Sequence, residues 1–364
     1  MKKIVHILVL LIVAESFSQE YRKNWSDGQL TWDDFRALPS NEKTSSLFYT
    51  LNYASDVKVI DNVKYMGVFA NAYINKSLSF VKNDFKDTFH LDYNQVIFNL
   101  LELNKRKFQL EIFNVKNIYQ INSLLNDASD MLNEEVAHFQ KESNYGISYD
   151  VTKKWLLKTE EELRKTSNYI IPNYRRSHWS YGMYLGVDFG AYNNPFKESL
   201  NNTLAFAMGL EGAYKKVTLG LNLSLTNSKV KKDIITNNLS IPQGDRVSII
   251  NLNATLGYPA YENEKIRVFP FIGYGVTTFG ETGDKKSKEE TTSASSIFGI
   301  NLDFKERKKV NFTPSFLNLR EEGNGFIRTR FFISNTNVNP DLKGYSINVG
   351  VAYGFEARSI SIKQ

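Results

Sequence analysis

The apolar residues between positions 87 and 168 recur at the three-to-four-residue spacing of amphipathic helices. Two stripes run along this segment: Leu91, Val96, Leu100, Leu103 and Phe108, then Ile121, Leu124, Leu125, Met131 and Leu132. Shorter alternating runs between 47 and 81 indicate a few strands ahead of the helices. We therefore predict an α+β domain over residues 19–172.

After Pro172 the period changes to two. In the first such segment the odd positions from Trp179 to Ala191 are apolar, and most even positions are small or polar. This alternation is typical of strands with one apolar face. Nine segments share the pattern: 179–191, 203–214, 217–227, 247–258, 265–278, 296–304, 309–317, 326–335 and 344–356.

The connections between these segments favour a membrane barrel over a soluble sandwich or a lipocalin-like barrel. Short turns at 215–216, 260–265 and 305–309 alternate with long polar loops at 192–202, 228–246 and 279–292. Outer-membrane barrels have tight periplasmic turns, longer external loops and an even strand number. Because Pro314 would interrupt the ladder of one segment, we predict eight strands over residues 173–364, with ten as the alternative.

Charged residues also occur on the inward face of the predicted strands. They are Asp188, Glu211, Asp303, Arg328 and Arg330. Since an unpaired buried charge is costly, we predict a bridged network that fills the narrow lumen, and an ion or proton path is the alternative. His178 is read as an interfacial residue beside Trp179, and no Ser/His/Asp grouping can be assembled in this half.

The start of the chain has the pattern of a secretory signal. Two lysines precede an apolar run from Ile4 to Ala14, and small residues lead to a cleavage site before Gln19. Without residues 1–18 the net charge falls from +6 to +5, and the basic residues are dispersed, which argues against nucleic acid as a partner. The absence of cysteine excludes disulfides and thiol chemistry.

Three motifs of the N-terminal half carry a resemblance: "LTWDDF" at 30–35, "KSLSFVKNDFKDTFHLDYNQVIFNLLELNKRKFQ" at 76–109, and "ESNYGISYDVTKKW" at 142–155. In this order they resemble a family of secreted bacterial zinc-dependent proteases whose helix bears H-E-Q-x-H-F and whose later segment bears E-T-x-H-G. The C-terminal half resembles small outer-membrane barrels of Gram-negative bacteria, and "SFSQ" resembles processing sites common in Bacteroidetes.

The resemblance implies where the zinc ligands and the general base would lie, and this chain has replaced them. The first family histidine falls on Tyr93, the glutamate on Asn94, the second histidine on Ile97 and the later histidine on Tyr145. Zinc-dependent peptide hydrolysis needs the two histidines to bind the metal and the glutamate as general base. We therefore predict no zinc and no other cofactor. The matching positions are Gln95, Phe98, Glu102, Leu103, Arg106 and Gly146. A relocated pair of His90 and His138, with Asp87 or Asp92 nearby, is the alternative.

Three functions remain open from the sequence. The first is a non-catalytic outer-membrane barrel protein with a periplasmic pseudo-protease domain for binding, scaffolding or envelope organisation. Its partners would be outer-membrane lipid and an unidentified periplasmic or envelope protein or peptide. The second is a metal-independent hydrolase that uses Asp92, Glu102 or Glu142 in the N-terminal cleft, and the third is a small transporter or channel. We predict the first.

Overall fold

A computed structural model describes residues 21–40, 43–166, 171–236, 239–282, 290–314, 319–338 and 343–363. The predicted signal segment 1–18 lies outside the described residues, as does the end of the predicted strand 309–317.

The N-terminal unit combines a long hairpin with three helices. Its strands are β1 (Arg22–Lys23), β2 (Ser45–Ser46), β3 (Tyr49–Ile60), β4 (Val63–Asn75) and β5 (Phe80–Val81), and its helices are α1 (Thr88–Asn114), α2 (Ile121–Glu142) and α3 (Tyr149–Lys165). The predicted strands and helices are therefore present, in the predicted order. β3 pairs antiparallel with β4 along its whole length.

Helix α1 is the central element of this unit. It begins after Asp87, whose carboxylate accepts the His90 N–H at 2.7 Å, and such a cap satisfies a donor that the first turn leaves open. Val96, Phe98 and Leu101 are almost completely buried between the hairpin, α2 and α3. A helix that is apolar on most sides belongs in a core, whereas α2 and α3 bury one face each.

The C-terminal half is a closed antiparallel barrel of eight strands. They are β7 (Trp179–Tyr192), β8 (Thr203–Tyr214), β9 (Val217–Lys229), β12 (Arg246–Gly257), β14 (Ile266–Glu281), β15 (Glu290–Lys305), β17 (Arg320–Asn337) and β18 (Lys343–Ile362). Each strand pairs with the next, and β18 pairs with β7 to close the ring. The prediction of eight strands is confirmed.

Shorter elements lie at the two ends of the barrel. They are β6 (Tyr174–Arg176), helix α4 (Phe196–Ser199), β10 (Ile234–Thr236), β11 (Leu239–Ile241), β13 (Tyr261–Glu262) and β16 (Lys309–Asn311). The loop predicted at 228–246 contains the β10–β11 hairpin. We call the end where β7 begins the proximal end, since it adjoins the N-terminal unit, and the opposite end the distal end.

The predicted segment 309–317, one of the nine, is not among the eight barrel strands. Of its described residues, 309–314, Lys309–Asn311 form a strand, β16, which ends three residues before Pro314. β16 pairs antiparallel with β17 and parallel with β4. A single sheet therefore continues from the hairpin of the N-terminal unit into the barrel wall.

A cluster of rings packs around this junction. Phe312 stacks on Tyr65 with ring centroids 5.9 Å apart, and it also contacts Phe113 at the end of α1. Val310 is completely buried in the same cluster. The two halves of the chain thus share main-chain hydrogen bonds and an apolar core.

The outer surface of the barrel is apolar along its strands. Large apolar side chains that are between 46% and 68% exposed include Leu185, Val187, Leu204, Leu219, Leu221, Ile272, Tyr274, Phe298, Ile300, Ile327, Phe331, Ile347, Val351 and Tyr353. Exposed rings of Trp179, Tyr214, Tyr258 and Phe304 stand near the proximal end. We call this surface the apolar belt.

Candidate functional site: the barrel lumen and the motif positions of helix α1

The lumen holds a buried cluster of ion pairs. Arg328 is fully buried, its Nε lies 2.7 Å from Asp303 Oδ1, and its Nη2 lies 3.1 Å from Glu211 Oε2. Arg330 Nη1 lies 3.4 Å from Asp188 Oδ2. All five charged residues predicted to point inward lie in the lumen, in two groups: Glu211, Asp303 and Arg328 in one, Asp188 and Arg330 in the other.

Two members of this cluster are absent from the sequence prediction. Arg267 donates to Asp303 Oδ2 at 2.7 Å from its Nη2 and to Glu356 Oε2 at 2.6 Å from its Nη1. Both follow the strand alternation: Arg267 shares the inward phase of Phe269 in β14, and Glu356 that of Ala352 in β18. The alternation therefore contained this information, but both residues lie at the ends of the predicted segments 265–278 and 344–356, where the inward phase is hardest to assign.

Aromatic rings surround the guanidinium groups. The Arg328 guanidinium lies 4.8 Å from the ring centroid of Tyr184, 4.9 Å from that of Phe269 and 4.8 Å from that of Phe326. Arg330 lies 4.9 Å from the same Tyr184 ring. Since the face of a ring attracts a desolvated cation, these contacts offset part of the cost of burying the arginines.

The small residues of the inward face make room for this packing. A Cβ atom at Gly209 would lie 2.2 Å from the Tyr184 ring, and one at Gly354 would lie 2.6 Å from the Phe326 ring. The alternation of glycine and bulky side chains across neighbouring strands therefore follows from filling a narrow barrel.

The distal end of the lumen is closed by an apolar cluster, which we call the distal cap. Its buried residues come from α4, the β10–β11 hairpin and the strand ends: Phe196, Leu200, Val230, Ile234, Leu239, Ile241, Val247, Ile249 and Phe279. Between the cap and the ion pairs lies a cavity of about 60 Å³, lined by Asp188 and Arg330 among others. Asp188 Oδ1 and Arg330 Nε have no hydrogen-bond partner in the described chain, and the cavity has space for a few waters.

The ion pairs also continue from the lumen to the proximal end. Beyond Glu356 the ion pairs connect residues on three strands and in the loop before β16: Arg358, Glu322, Arg176 and Lys308. Lys308 precedes β16, and its carbonyl accepts the Lys64 N–H of the hairpin at 2.9 Å. Charged contacts therefore join the barrel interior to its junction with the N-terminal unit.

Two of the positions that the sequence resemblance assigns to zinc ligands, Tyr93 and Ile97, lie in the core of the N-terminal unit. Tyr93 packs on Phe139 with ring centroids 5.2 Å apart, and burial raises the pKa of Tyr93 to about 12. Gly146 has φ +87°, and a Cβ there would lie 3.1 Å from the Tyr93 ring. Ile97 is 3% exposed. A protonated phenol and an aliphatic chain cannot replace two imidazoles, so these residues do not fit zinc.

The remaining two altered positions differ in their surroundings. The side chain of Asn94 is fully buried and donates to Ser45 Oγ at 3.1 Å and to the His90 carbonyl at 2.8 Å, while its Oδ1 has no hydrogen-bond partner in the described chain. Tyr145 is 67% exposed. Neither residue supplies a carboxylate or an imidazole at the position that the resemblance assigns to it.

The matching positions of the motif hold the unit together. Gln95 Oε1 accepts the Leu30 N–H at 2.8 Å, and Arg106 donates to the Leu163 carbonyl at 2.8 Å, so they tie α1 to the first segment and to α3. Glu102 is 2% exposed and pairs with Arg106 and Lys105. Both carboxylate oxygens of Glu102 are therefore engaged in ion pairs.

The other candidate residues of the N-terminal half are separated. His90 contacts the capping carboxylate of Asp87 at 2.9 Å, and His138 lies 3.6 Å from Glu142 on α2. Asp92 lies 3.8 Å from Lys153. Within the described residues no three His, Asp or Glu side chains group as metal ligands would.

No helix among the described residues is both long enough and apolar enough to cross a membrane. No family model matches the chain, and no curated protein matches it. The resemblance to zinc-dependent proteases therefore stays a prediction.

Several solved structures are similar to half of this chain. They include the attachment invasion locus protein Ail of Yersinia pestis (10% identity, 50% of this chain and 99% of that chain, TM-score 0.29). Neisserial surface protein A matches with 6% identity over 50% of this chain and 97% of its own, with a TM-score of 0.30. The outer membrane protein OprG of Pseudomonas aeruginosa matches with 7% identity over 52% and 98%, with a TM-score of 0.26. The closed barrel itself is defined by its strand pairing.

Proposed function

We propose that this chain is an outer-membrane protein whose barrel anchors a non-catalytic periplasmic domain that binds or organises a component of the envelope. The apolar belt is the observation that carries the proposal. Soluble monomers rarely expose contiguous apolar patches larger than a few hundred Å², whereas outer-membrane barrels have an apolar band flanked by aromatic rings. With the long loops outside the cell, the N-terminal unit lies in the periplasm.

The filled lumen supports an anchor rather than a conduit. Ion pairs and rings occupy its proximal part, and the distal cap closes the other end. An eight-stranded barrel has an interior just wide enough for side chains. A solute path would need both layers to rearrange.

The junction supports a scaffolding role for the barrel. Arg320 of β17 donates to the Phe312 carbonyl at 2.8 Å and to the Phe113 carbonyl at 3.0 Å. Together with the β4–β16 pairing, these bonds hold the N-terminal unit in one orientation below the barrel. A fixed orientation is an advantage for presenting a binding surface, because less entropy is lost when a partner binds.

The altered motif supports a non-catalytic role for the domain. Tyr93 and Ile97, at positions that the resemblance assigns to zinc ligands, are core residues, and Glu102 is engaged in ion pairs. Glu142 accepts from the Trp155 indole at 2.7 Å. The carboxylates of the hydrolase alternative thus have structural partners.

Fractionation and bilayer recordings test the proposal together. We expect the mature chain, residues 19–364, to require detergent for solubility, to migrate as a heat-sensitive folded form, and to show no ion conductance in planar bilayers. A freely soluble monomer would disprove the membrane anchor, and steady conductance would favour the channel. Peptide cleavage abolished by Glu102→Gln or Glu142→Gln would favour the hydrolase instead.

A further inference from the structure

An open groove lies on the N-terminal unit, on the sheet face away from α1. Successive side chains of a strand point to opposite faces, and Leu51 and Ala72 belong to the core cluster that contains α1. Asn52 and Asn71, each one position away, are directly opposite each other in the β3–β4 pairing and line the groove. Its volume is about 650 Å³, within the range of small-molecule sites.

The floor of the groove contains an unsatisfied acceptor. The Asn52 Oδ1 atom is buried and has no hydrogen-bond partner in the described part of the chain. A buried polar atom without a partner costs about 1–3 kcal/mol. Asn52 lines the groove, so rotation of its side-chain amide would bring this acceptor to a bound molecule that supplies the missing donor.

The groove wall carries a fixed guanidinium. Arg22 lies over the ring of Tyr73, 4.5 Å from its centroid, and it forms no ion pair within the described residues. Its side chain remains exposed, and Tyr73 lines the groove beside it. A guanidinium held in this way offers donors in a fixed plane.

An acid stands in the same groove and balances the charge. Asp27 accepts from the Asn24 N–H at 2.8 Å and from its side-chain amide at 3.2 Å, and both bonds use Oδ2. Arg22 and Asp27 cancel in formal charge. The groove therefore combines paired amides, a cation and an anion with no net charge.

This set of groups matches the chemistry of a polyol. A hydroxyl donates one hydrogen bond and accepts others, and an asparagine amide both donates and accepts. The opposed Asn52 and Asn71 can engage two neighbouring hydroxyls, while Arg22 donates to a third and Asp27 accepts from a fourth. An anionic ligand would face Asp27, and a cationic ligand would face Arg22.

We propose that this groove binds a neutral oligosaccharide, with Asn52 and Asn71 as its central contacts. The inference rests on the proposed periplasmic binding role and assigns it a class of ligand. It uses a face of the domain that contains none of the altered protease motif.

Calorimetric titration of the mature chain with chitotetraose and with cellotetraose tests the inference. A detergent without a sugar headgroup is required, since a maltoside would compete for the groove. We expect saturable binding of at least one saccharide at millimolar concentration or below. Asn52→Leu and Asn71→Leu should each weaken it tenfold or more, and Asn126→Leu on the exposed surface of α2 is the matched control.

Thermal unfolding followed by tryptophan fluorescence separates binding from folding. Three of the four tryptophans lie in the N-terminal unit. We expect Asn52→Leu not to lower its unfolding temperature, because Oδ1 loses no partner. Absence of saccharide binding by the unaltered chain, binding unaffected by both leucine variants, or saturable binding of a polar tetrapeptide instead would overturn the inference. These outcomes leave membrane anchoring, which is read by solubility, untouched.

Discussion

Arg328 shows how a residue that is costly to bury becomes part of a barrel interior. Its guanidinium has two carboxylate partners, Asp303 and Glu211, and three flanking rings. Desolvation penalises each charge, and the pairing recovers that cost only when every member is present. Removal of Arg328 is therefore costly because it would leave buried carboxylates with fewer cationic partners.

Replacing Arg328 by alanine should destabilise the folded barrel by about 3–5 kcal/mol, because two carboxylates would stay buried with fewer cations. The measurement is the temperature at which the folded form disappears in gel electrophoresis from detergent. Arg246→Ala, at an exposed position at the start of β12, should leave that temperature unchanged. Equal heat resistance of the Arg328 variant and the unaltered chain would refute a structural role for the network.

Asp34 is a comparable residue in the N-terminal unit. Its carboxylate lies 2.7 Å from Lys23 Nζ and 3.0 Å from Lys76 Nζ, and its side chain is 3% exposed. Burial alone would raise its pKa, but hydrogen bonds from Lys23, Thr31 and Lys76 hold the pKa below the ordinary value of 3.8. Because the pKa is lowered in the folded state, the ion pair stabilises the fold at pH values above the ordinary pKa of the carboxyl. This stabilisation is lost as the pH falls through the folded-state pKa.

Asp34→Asn should therefore lower the free energy of unfolding by about 3–5 kcal/mol at neutral pH, since Lys23 would be left buried without its anion. The difference from the unaltered chain should shrink as the pH falls below 4 or so. Denaturant unfolding of the mature chain, followed by tryptophan fluorescence at several pH values, measures both effects. Asp33→Asn, at the exposed neighbouring position, is the control. A pH-independent difference would contradict the assignment.

At the scale of elements, each barrel strand combines an apolar outer face with an inner face of alternating size. Gly209 in β8 faces Tyr184 in β7, and Gly350 in β18 approaches Asp188 in the same way. Glycine is needed at these positions because a Cβ atom would occupy the space of the neighbouring side chain. This size matching explains why the inner face reads as small and polar along most strands.

Gly209→Val should displace Tyr184 from its place beside Arg328 and Arg330, because the new Cβ would lie 2.2 Å from the ring. Overpacking of this kind typically costs about 1–3 kcal/mol. The heat resistance of the folded barrel should fall accordingly. Gly212→Val in the same strand should have no such effect, because nothing lies within 4 Å of a Cβ there. Equal losses for both variants would mean that the strand responds to β-branching rather than to the contact with Tyr184.

At the scale of the whole molecule, β16 joins the two halves. Its three residues pair with β17 on one side and with β4 on the other. The Phe312 N–H donates to the Met66 carbonyl at 2.8 Å, and the Lys64 N–H donates to the Lys308 carbonyl at 2.9 Å. A break at this strand should free the N-terminal unit without opening the barrel.

Val310→Asp places an unpaired charge at a completely buried position, which costs several kcal/mol. We expect the amides of Lys64 and Phe312 to exchange faster with deuterium, while those in the barrel strands stay protected. Val59→Asp, at a half-exposed position of the hairpin, should leave the exchange unchanged. Unaltered protection of the two amides in the Val310 variant would show that β16 does not hold the halves together.

The sequence by itself determined the type, order and phase of most elements, because periodicity is a local property. Alternation alone separated the inward Asp303 from the outward Leu302, and the helical stripes located α1, α2 and α3. What only the tertiary structure decided depends on residues far apart in the chain: Arg330 meets Asp188 across 142 positions, and the pairing of β18 with β7 closes the ring. In the tertiary structure the apparent ninth barrel strand is β16, which pairs with both halves of the chain. Tyr93 and Ile97 are packed in the core of the N-terminal unit. The register of the strands and the choice of pairing partner depend on packing interactions over the whole fold, and no short segment of the sequence contains this information.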